Sequence, residues 1–439
     1  MRTLQNAYRA QEDGLAIGPF LSRLPAFMTM KLIPYRYFEL LSQRDFFILN
    51  LVMFLFQAAT SFILLGLIAS VFGKTGSNIG VSGVIVSFSV PGFLLFAIAG
   101  LAADLIDRKK IIVAANVVEV LIIFLILANI EFVYASIGLS FLYFAANAFY
   151  LPAASAATAQ MVKRSQLLAA NSVFIFTIAG GQLSGFAAAA IIHLFLGSVW
   201  TLLVCEVITV LTVWLATQLP PLLPRKNAKA SLFGNVVEVL KGFSTIFGRK
   251  LIWFYFVMFA FMQGLIAFGV TLGPGFFDEV VGLSFDRGAV FSLPLVSLGV
   301  VLGAIFVHTP KLRESQFIAI GMGLIGVTAM IFGLILKLGL FWGRYILLPL
   351  AFFVSALGFG VIITMIASRA VLQKRISHSS QGTVFGALVV LAAFFAGVMS
   401  PFAVGLEAIF GYINILILGG VGFVGSSFVL EQVGRRWKF

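Results

Sequence analysis

The sequence predicts an all-α integral membrane fold: twelve transmembrane helices in two six-helix halves. Three observations predict it. Of 439 residues, 61% are hydrophobic and only 10% charged, with a mean hydropathy of +1.09; soluble domains run at about 45–50% apolar and about 25% charged. Apolar runs of roughly 20 residues or more, the length that crosses a bilayer, recur twelve times along the chain. The basic residues between those runs then fall into alternating classes. That composition excludes a soluble enzyme, a disordered tail and a fibrous protein. The one cysteine, Cys205, excludes a disulfide framework within the chain.

The spans follow from apolar runs broken by charge, Gly and Pro. Span one covers 46–72, span two 79–103, span three 111–130, and span four 132–159 with Pro152 inside it. Span five covers 167–192 and span six 196–219. After a polar stretch come span seven at 251–276, span eight at 289–308 and span nine at 317–338. Spans ten, eleven and twelve cover 345–372, 382–404 and 408–430. Backbone groups in hydrocarbon must be satisfied internally, so each run is expected to be a helix. The ten-residue alternating segments of a membrane β-barrel do not occur.

Placing the charges tests the count. The N-terminal segment, the loops after spans two, four, six, eight and ten, and the C-terminus carry 25 of the 29 Lys and Arg. The other side carries only Lys74, Arg287, Lys337 and Arg344. A missed or extra helix would scramble that alternation. The positive-inside rule puts both termini in the cytoplasm, and the net charge of +13 is then a topology code, with no nucleic-acid partner implied. Trp200, Trp214, Trp253, Trp342 and Trp437 all fall near span ends, as an aromatic belt requires.

The expected organisation is a cytoplasmic segment at 1–44, a six-helix half at 45–219, a cytoplasmic linker at 220–250, a second half at 251–430 and a tail at 431–439. Residues 1–44 mix Leu21, Leu24, Phe27 and Tyr35 with Arg23, Lys31 and Arg36; the segment reads either as an amphipathic stretch on anionic headgroups or as a partly ordered basic tail. In the linker, Leu232, Val236, Val237, Leu240, Phe243 and Ile246 recur at helical spacing, which predicts a surface helix. Loops two and eight, and loops four and ten, hold matching places a little over 200 residues apart. Such a duplication is a transporter architecture, with the substrate site between the halves near the midplane.

Loop two reads Gly100-Leu-Ala-Ala-Asp104-Leu-Ile-Asp107-Arg108-Lys109-Lys110. It resembles the signature of the major facilitator superfamily, Gly-x-x-x-Asp, a basic residue, x, Gly, then two basic residues. Gly100, Asp104, Arg108 and Lys109 match; Leu105 replaces the first basic residue and Asp107 the second Gly. Loop four (Leu151 to Asn171) and loop ten (Leu372 to Phe385) are similar to the branch holding the enterobactin exporter, the macrolide efflux proteins and the lysophospholipid transporters. The superfamily resemblance covers about residues 44–430. It implies that Asp104, flanked by Arg108 and Lys109, pairs across the seam between halves as a breakable latch; the alternative is that the bases only set topology. Span five departs from the family's antiporter pattern, because Gln182 stands between Gly181 and Gly185 where a Pro is usual, whereas span eleven keeps Pro401 and Gly405.

Ionisable groups inside spans are costly and mark function by default. Glu119 lies midway along span three and Glu206 near the middle of span six. Each reads either as a protonatable coupling site or as a buried carboxyl bonded to a neighbour, Asn116 in the case of Glu119. The resemblance implies that spans one, four, seven and ten line the cavity. Their buried neutral groups, with those of span five, are the candidate substrate contacts: Asn50, Gln57, Tyr143, Asn147, Gln182, Gln263, Ser355 and Thr364. Set among 48 Phe, they suit an amphipathic or hydrophobic solute; the alternative for each is interhelical bridging.

Two Gly-x-Gly-x-x-Gly stretches, 321–326 and 420–425, lie inside apolar spans and read as helix packing. No nucleotide-binding domain, cofactor site or metal cluster is expected. The expected activity is secondary transport by alternating access, without covalent chemistry. The most direct form is efflux of a small amphipathic compound from a bacterial inner membrane by a monomer, with protons as the coupling ion. Lysophospholipid movement between leaflets and a non-transporting receptor are the rival readings.

Overall fold

The computed structural model describes residues 39–163, 166–223, 241–244, 246–307, 312–340, 343–376 and 378–436. The N-terminal segment up to residue 38, residues 224–240 with most of the expected linker helix, and loop eight at 308–311 lie outside the described residues.

Ten helices long and apolar enough to cross a membrane follow one another. Span one is Arg44–Thr75, span two Asn78–Leu105, span three Arg108–Ala128 and span four Val133–Met161. Spans five and six form one run, Leu167–Thr217, broken at Gly197. Span seven is Lys250–Gly275 and continues as a π-turn, Phe276–Val281. Span eight is Phe285–Phe306, span nine Glu314–Leu338 and span ten Leu347–Arg375. Spans eleven and twelve form a second run, His378–Arg436, broken at Gly411. Splitting the two runs gives twelve transmembrane helices in two six-helix halves, the major facilitator fold.

The two breaks are where the expected boundaries differ from the structure. Loops were expected at about 193–195 and 405–407. Instead a single glycine turns the chain in each case, Gly197 at φ 81°, ψ −178° and Gly411 at φ 68°, ψ 162°. That region of backbone space is essentially restricted to glycine. Elsewhere the ends are conventional: Gly76 closes span one in the left-handed conformation, and the Ser77 side chain accepts from Ile79 N to start span two.

With no hydrophobic drive between helices in lipid, close packing relies on small residues. A Cβ at Gly181 would sit 2.5 Å from Phe54 O, and one at Gly185 2.6 Å from Ala58 Cα, so span five lies backbone-to-backbone on span one. The two Gly-rich stretches meet each other: a Cβ at Gly326 would lie 2.7 Å from Gly420 O, and one at Gly420 2.7 Å from Gly326 O. They are the contact of spans nine and twelve. Of the expected surface helix, Ile246 is fully buried in a cluster with Ile252, Tyr255 and Phe256, so the described end of the linker docks on span seven.

Gly197→Ala and Gly411→Ala are each expected to cost about 1–3 kcal/mol, because alanine cannot adopt those dihedrals without strain. Gly269→Ala, at a helical glycine with open space beside it, is the control and should leave the melting temperature in detergent unchanged or raised.

Candidate functional site

The deepest polar network lies inside the N-terminal half. Asn147 on span four donates through Nδ2 to Thr60 Oγ1 on span one (3.2 Å) and to Glu119 Oε1 on span three (3.3 Å). Glu119 is fully buried, and its Oε2 is without a hydrogen-bond partner. The neighbour expected from sequence was Asn116, but that amide donates to Ile112 O within its own helix. Asn116 and Glu119 stand three apart on one face, and each reaches a separate partner.

Apolar and aromatic groups close around the network. Ile122, Ile123, Tyr143, Phe144 and Cys205 belong to one buried cluster with Ile63 and Leu67. Tyr150 is fully buried and stacks on Phe56 with centroids 3.5 Å apart. The Tyr143 and Tyr150 hydroxyls and Glu206 Oε2 are buried without partners. Glu206 itself is half-buried, on the neighbouring span six. The arrangement is one buried carboxyl, held by one amide, in a wall that is mostly apolar and aromatic.

The neutral candidates divide. Asn50 donates to Phe46 O and accepts from Thr177 Oγ1 at 3.1 Å, bridging spans one and five. Thr364 is fully buried, donates to Gly360 O, and lies where a Cβ at Gly321 would collide with its Oγ1; it is a packing element between spans nine and ten. Gln57 is buried with its Cβ against Gly181. Tyr143 is fully enclosed. That leaves Gln263 and Ser355, both half-buried, and Gln182, which is exposed.

At the end of the bundle that holds the termini, loop two is built differently from its resemblance. Asp104 is exposed and makes no hydrogen bond or ion pair with the described residues. Asp107, the departure from the family pattern, is buried and does the binding. Its Oδ1 accepts from Lys109 N at 3.0 Å, capping span three, and from Leu222 N at 2.9 Å. Arg108 donates through Nη1 to Gln160 Oε1 at 2.6 Å and to Leu223 O at 3.1 Å. Lys109 is half-buried and contributes the backbone N–H. This clasp joins spans three and four to the chain leaving span six, all in one half. The sequence held one hint of it: an acid directly before a new apolar run is an N-cap signal.

Opposite the termini, polar contacts join the two halves. Asn78 Nδ2 on span two donates to the Tyr412 hydroxyl (2.6 Å), and Gly275 N on span seven donates to Asn78 Oδ1 (3.3 Å). Ser400 on span eleven donates to Ser82 Oγ at 3.1 Å and shares a 2.7 Å hydroxyl contact with Thr271. His193 on span five meets Asp286 on span eight. None of these was legible in sequence, because each pairs residues more than 90 positions apart with no local pattern.

Twelve spans in two halves, with a polar core and a polar seam between halves, define the class as a membrane transporter fold. The chain belongs to the Major Facilitator Superfamily, whose family model matches residues 46–401. The fold is similar to those of a D-xylose-proton symporter (TM-score 0.66, 15% identity, covering 90% of this chain and 96% of that one), the nucleoside transporter NupG (0.61, 14%, 89% and 99%) and the POT family transporter PepTSo (0.67, 12%, 89% and 98%). No curated protein matches the sequence.

Asp107→Ala removes a helix cap, worth about 1 kcal/mol, and leaves Leu222 N unpaired, a further 1–3 kcal/mol or so. It should lower thermal stability clearly, while Asp104→Asn leaves stability within about 0.5 kcal/mol. The comparison is read from melting curves in one detergent.

Proposed function

We propose that this protein is a secondary transporter that exports a small amphipathic compound by alternating access, driven by protons. The observation that carries the reading is the chemistry of the spans that the family resemblance implies line the cavity. Residues 46–73, 133–161, 251–275 and 347–368 contain no Asp, Glu, Lys, Arg or His. A strongly charged solute would need a counter-charge there; neutral groups such as Gln263, Ser355 and Gln182, in a chain with 48 Phe, suit a solute that is apolar over most of its surface. The loop-four and loop-ten resemblance to exporters supports the direction. The basic-residue asymmetry supports cytoplasmic termini in an inner membrane, and a single chain contains both halves of the pathway, which supports a monomer.

Glu119 is the coupling group in this reading. It is the one acid among the described residues with no solvent exposure, and no cation lies against it. An ionisable group placed there at such cost marks a proton site by default. Asn147 and Thr60 tie it to a cavity-lining helix, so a change of proton occupancy at Glu119 is felt by span one.

Purified protein in proteoliposomes tests both parts. With a panel of neutral amphipathic dyes, dye-dependent proton flux is the expected result. Leaflet transfer of labelled lysolipid without a gradient would instead support lipid movement, and binding without flux a receptor. Glu119→Gln keeps the shape and an acceptor for Asn147 but cannot titrate. It should lose gradient-driven dye movement while retaining dye exchange at equilibrium; full gradient-driven movement in the variant would remove Glu119 from the mechanism.

A further inference from the structure

His193 Nε2 and Asp286 Oδ1 lie 2.7 Å apart. His193 is in the last turn of span five, four residues before Gly197 breaks the helix; Asp286 is in the first turn of span eight. The two spans belong to opposite halves, so this pair fastens one moving body to the other. The helix end favours the carboxylate, since negative charge is stabilised at a helix N-terminus.

The surroundings make the contact matter. His193 is buried at 7% exposure, and its Nδ1 is buried without a partner. Apolar groups from both spans share one cluster across the seam: Ala189, Ala190 and Ile192 from span five, and Phe285, Val290 and Leu293 from span eight. The Asp286 side chain keeps 34% exposure, so losing the contact leaves the buried His193 as the group without a partner. A closed pair therefore holds the halves together at this end, and separating the halves must break it. The neighbouring contacts, Asn78 with Tyr412 and Ser82 with Ser400, are neutral and share the same edge of the bundle.

We infer that His193 and Asp286 are the gate lock at the mouth opposite the termini: they hold that mouth shut in the state described here, and they part when it opens. This assigns two positioning residues outside the cavity and the Glu119 network. It rests on the alternating-access reading but on no particular solute or coupling ion.

The test needs no substrate. In a Cys205→Ala background, Ser82→Cys reports the opening of this mouth, because Ser82 is buried at the seam. Phe96→Cys, facing Gly386 across the other end of the span two–span eleven contact, reports the opposite mouth. Thiol-labelling rates are measured in detergent for each reporter. His193→Ala should raise labelling at Ser82→Cys several-fold and lower it at Phe96→Cys. Asp286→Asn, which keeps the shape and the acceptor oxygen and so guards against a folding failure, should do the same to a smaller degree. His193→Lys should restore slow labelling at Ser82→Cys by supplying a cation. The double variant His193→Ala/Asp286→Asn should label no faster than His193→Ala alone, since the two act through one contact. Unchanged rates at both reporters, or equal increases at both, would overturn the lock and show packing alone. Transport of dye can fail while these rates shift, and the reverse, so the two proposals fall separately.

Discussion

The hydrocarbon interior offers no water to a polar group, and this constraint organises the molecule. Backbone groups meet it by forming helices. Side chains meet it in two ways: by bonding back to their own helix, as Thr209, Thr212 and Thr271 do, or by reaching a neighbouring helix. The second kind includes single bridges such as Asn50 with Thr177 and Ser427 with Ala319 O, and it gathers into three groups: the Thr60–Asn147–Glu119 network, the Asp107 clasp, and the seam formed by Asn78, Ser82 and His193 with their partners. Two of these bind a half together, and one binds the halves to each other. A two-body machine needs that division, with contacts that persist inside each body and contacts that can be exchanged between bodies.

The fold was legible because its causes are local or additive. Run length, the charge between runs and the Gly-x-x-x-Asp motif each needed only a window of the chain, and together they specified twelve spans. The two boundaries that moved, at Gly197 and Gly411, moved because one glycine with positive φ does the work of a loop. No window average distinguishes such a glycine from the packing glycines around it.

The site was legible only in part. Glu119 and Asn147 stood out as polar groups in apolar spans, and they are joined in the structure. Asn50 and Thr364 stood out by the same signal and turn out to bridge or pack helices, because burial raises the value of a hydrogen bond whatever its purpose. Asp107 was hidden by its neighbour, since the motif draws attention to Asp104. His193 and Asp286 were hidden by distance in sequence; a lone His at a span end has no periodicity to reveal its partner.

The central claim is that the two halves rock about the seam, so that one mouth closes as the other opens. The direct measurement is a pair of spin-label distances, each in the Cys205→Ala background. One pair, Ile79→Cys with Ile409→Cys, spans the halves at the end opposite the termini; the other, Leu105→Cys with Arg375→Cys, spans them at the end that holds the termini. All four positions are exposed. Across a pH series or on adding a transported dye, the account expects the first distance to lengthen as the second shortens. Two distances that stay fixed, or that lengthen together, would contradict it.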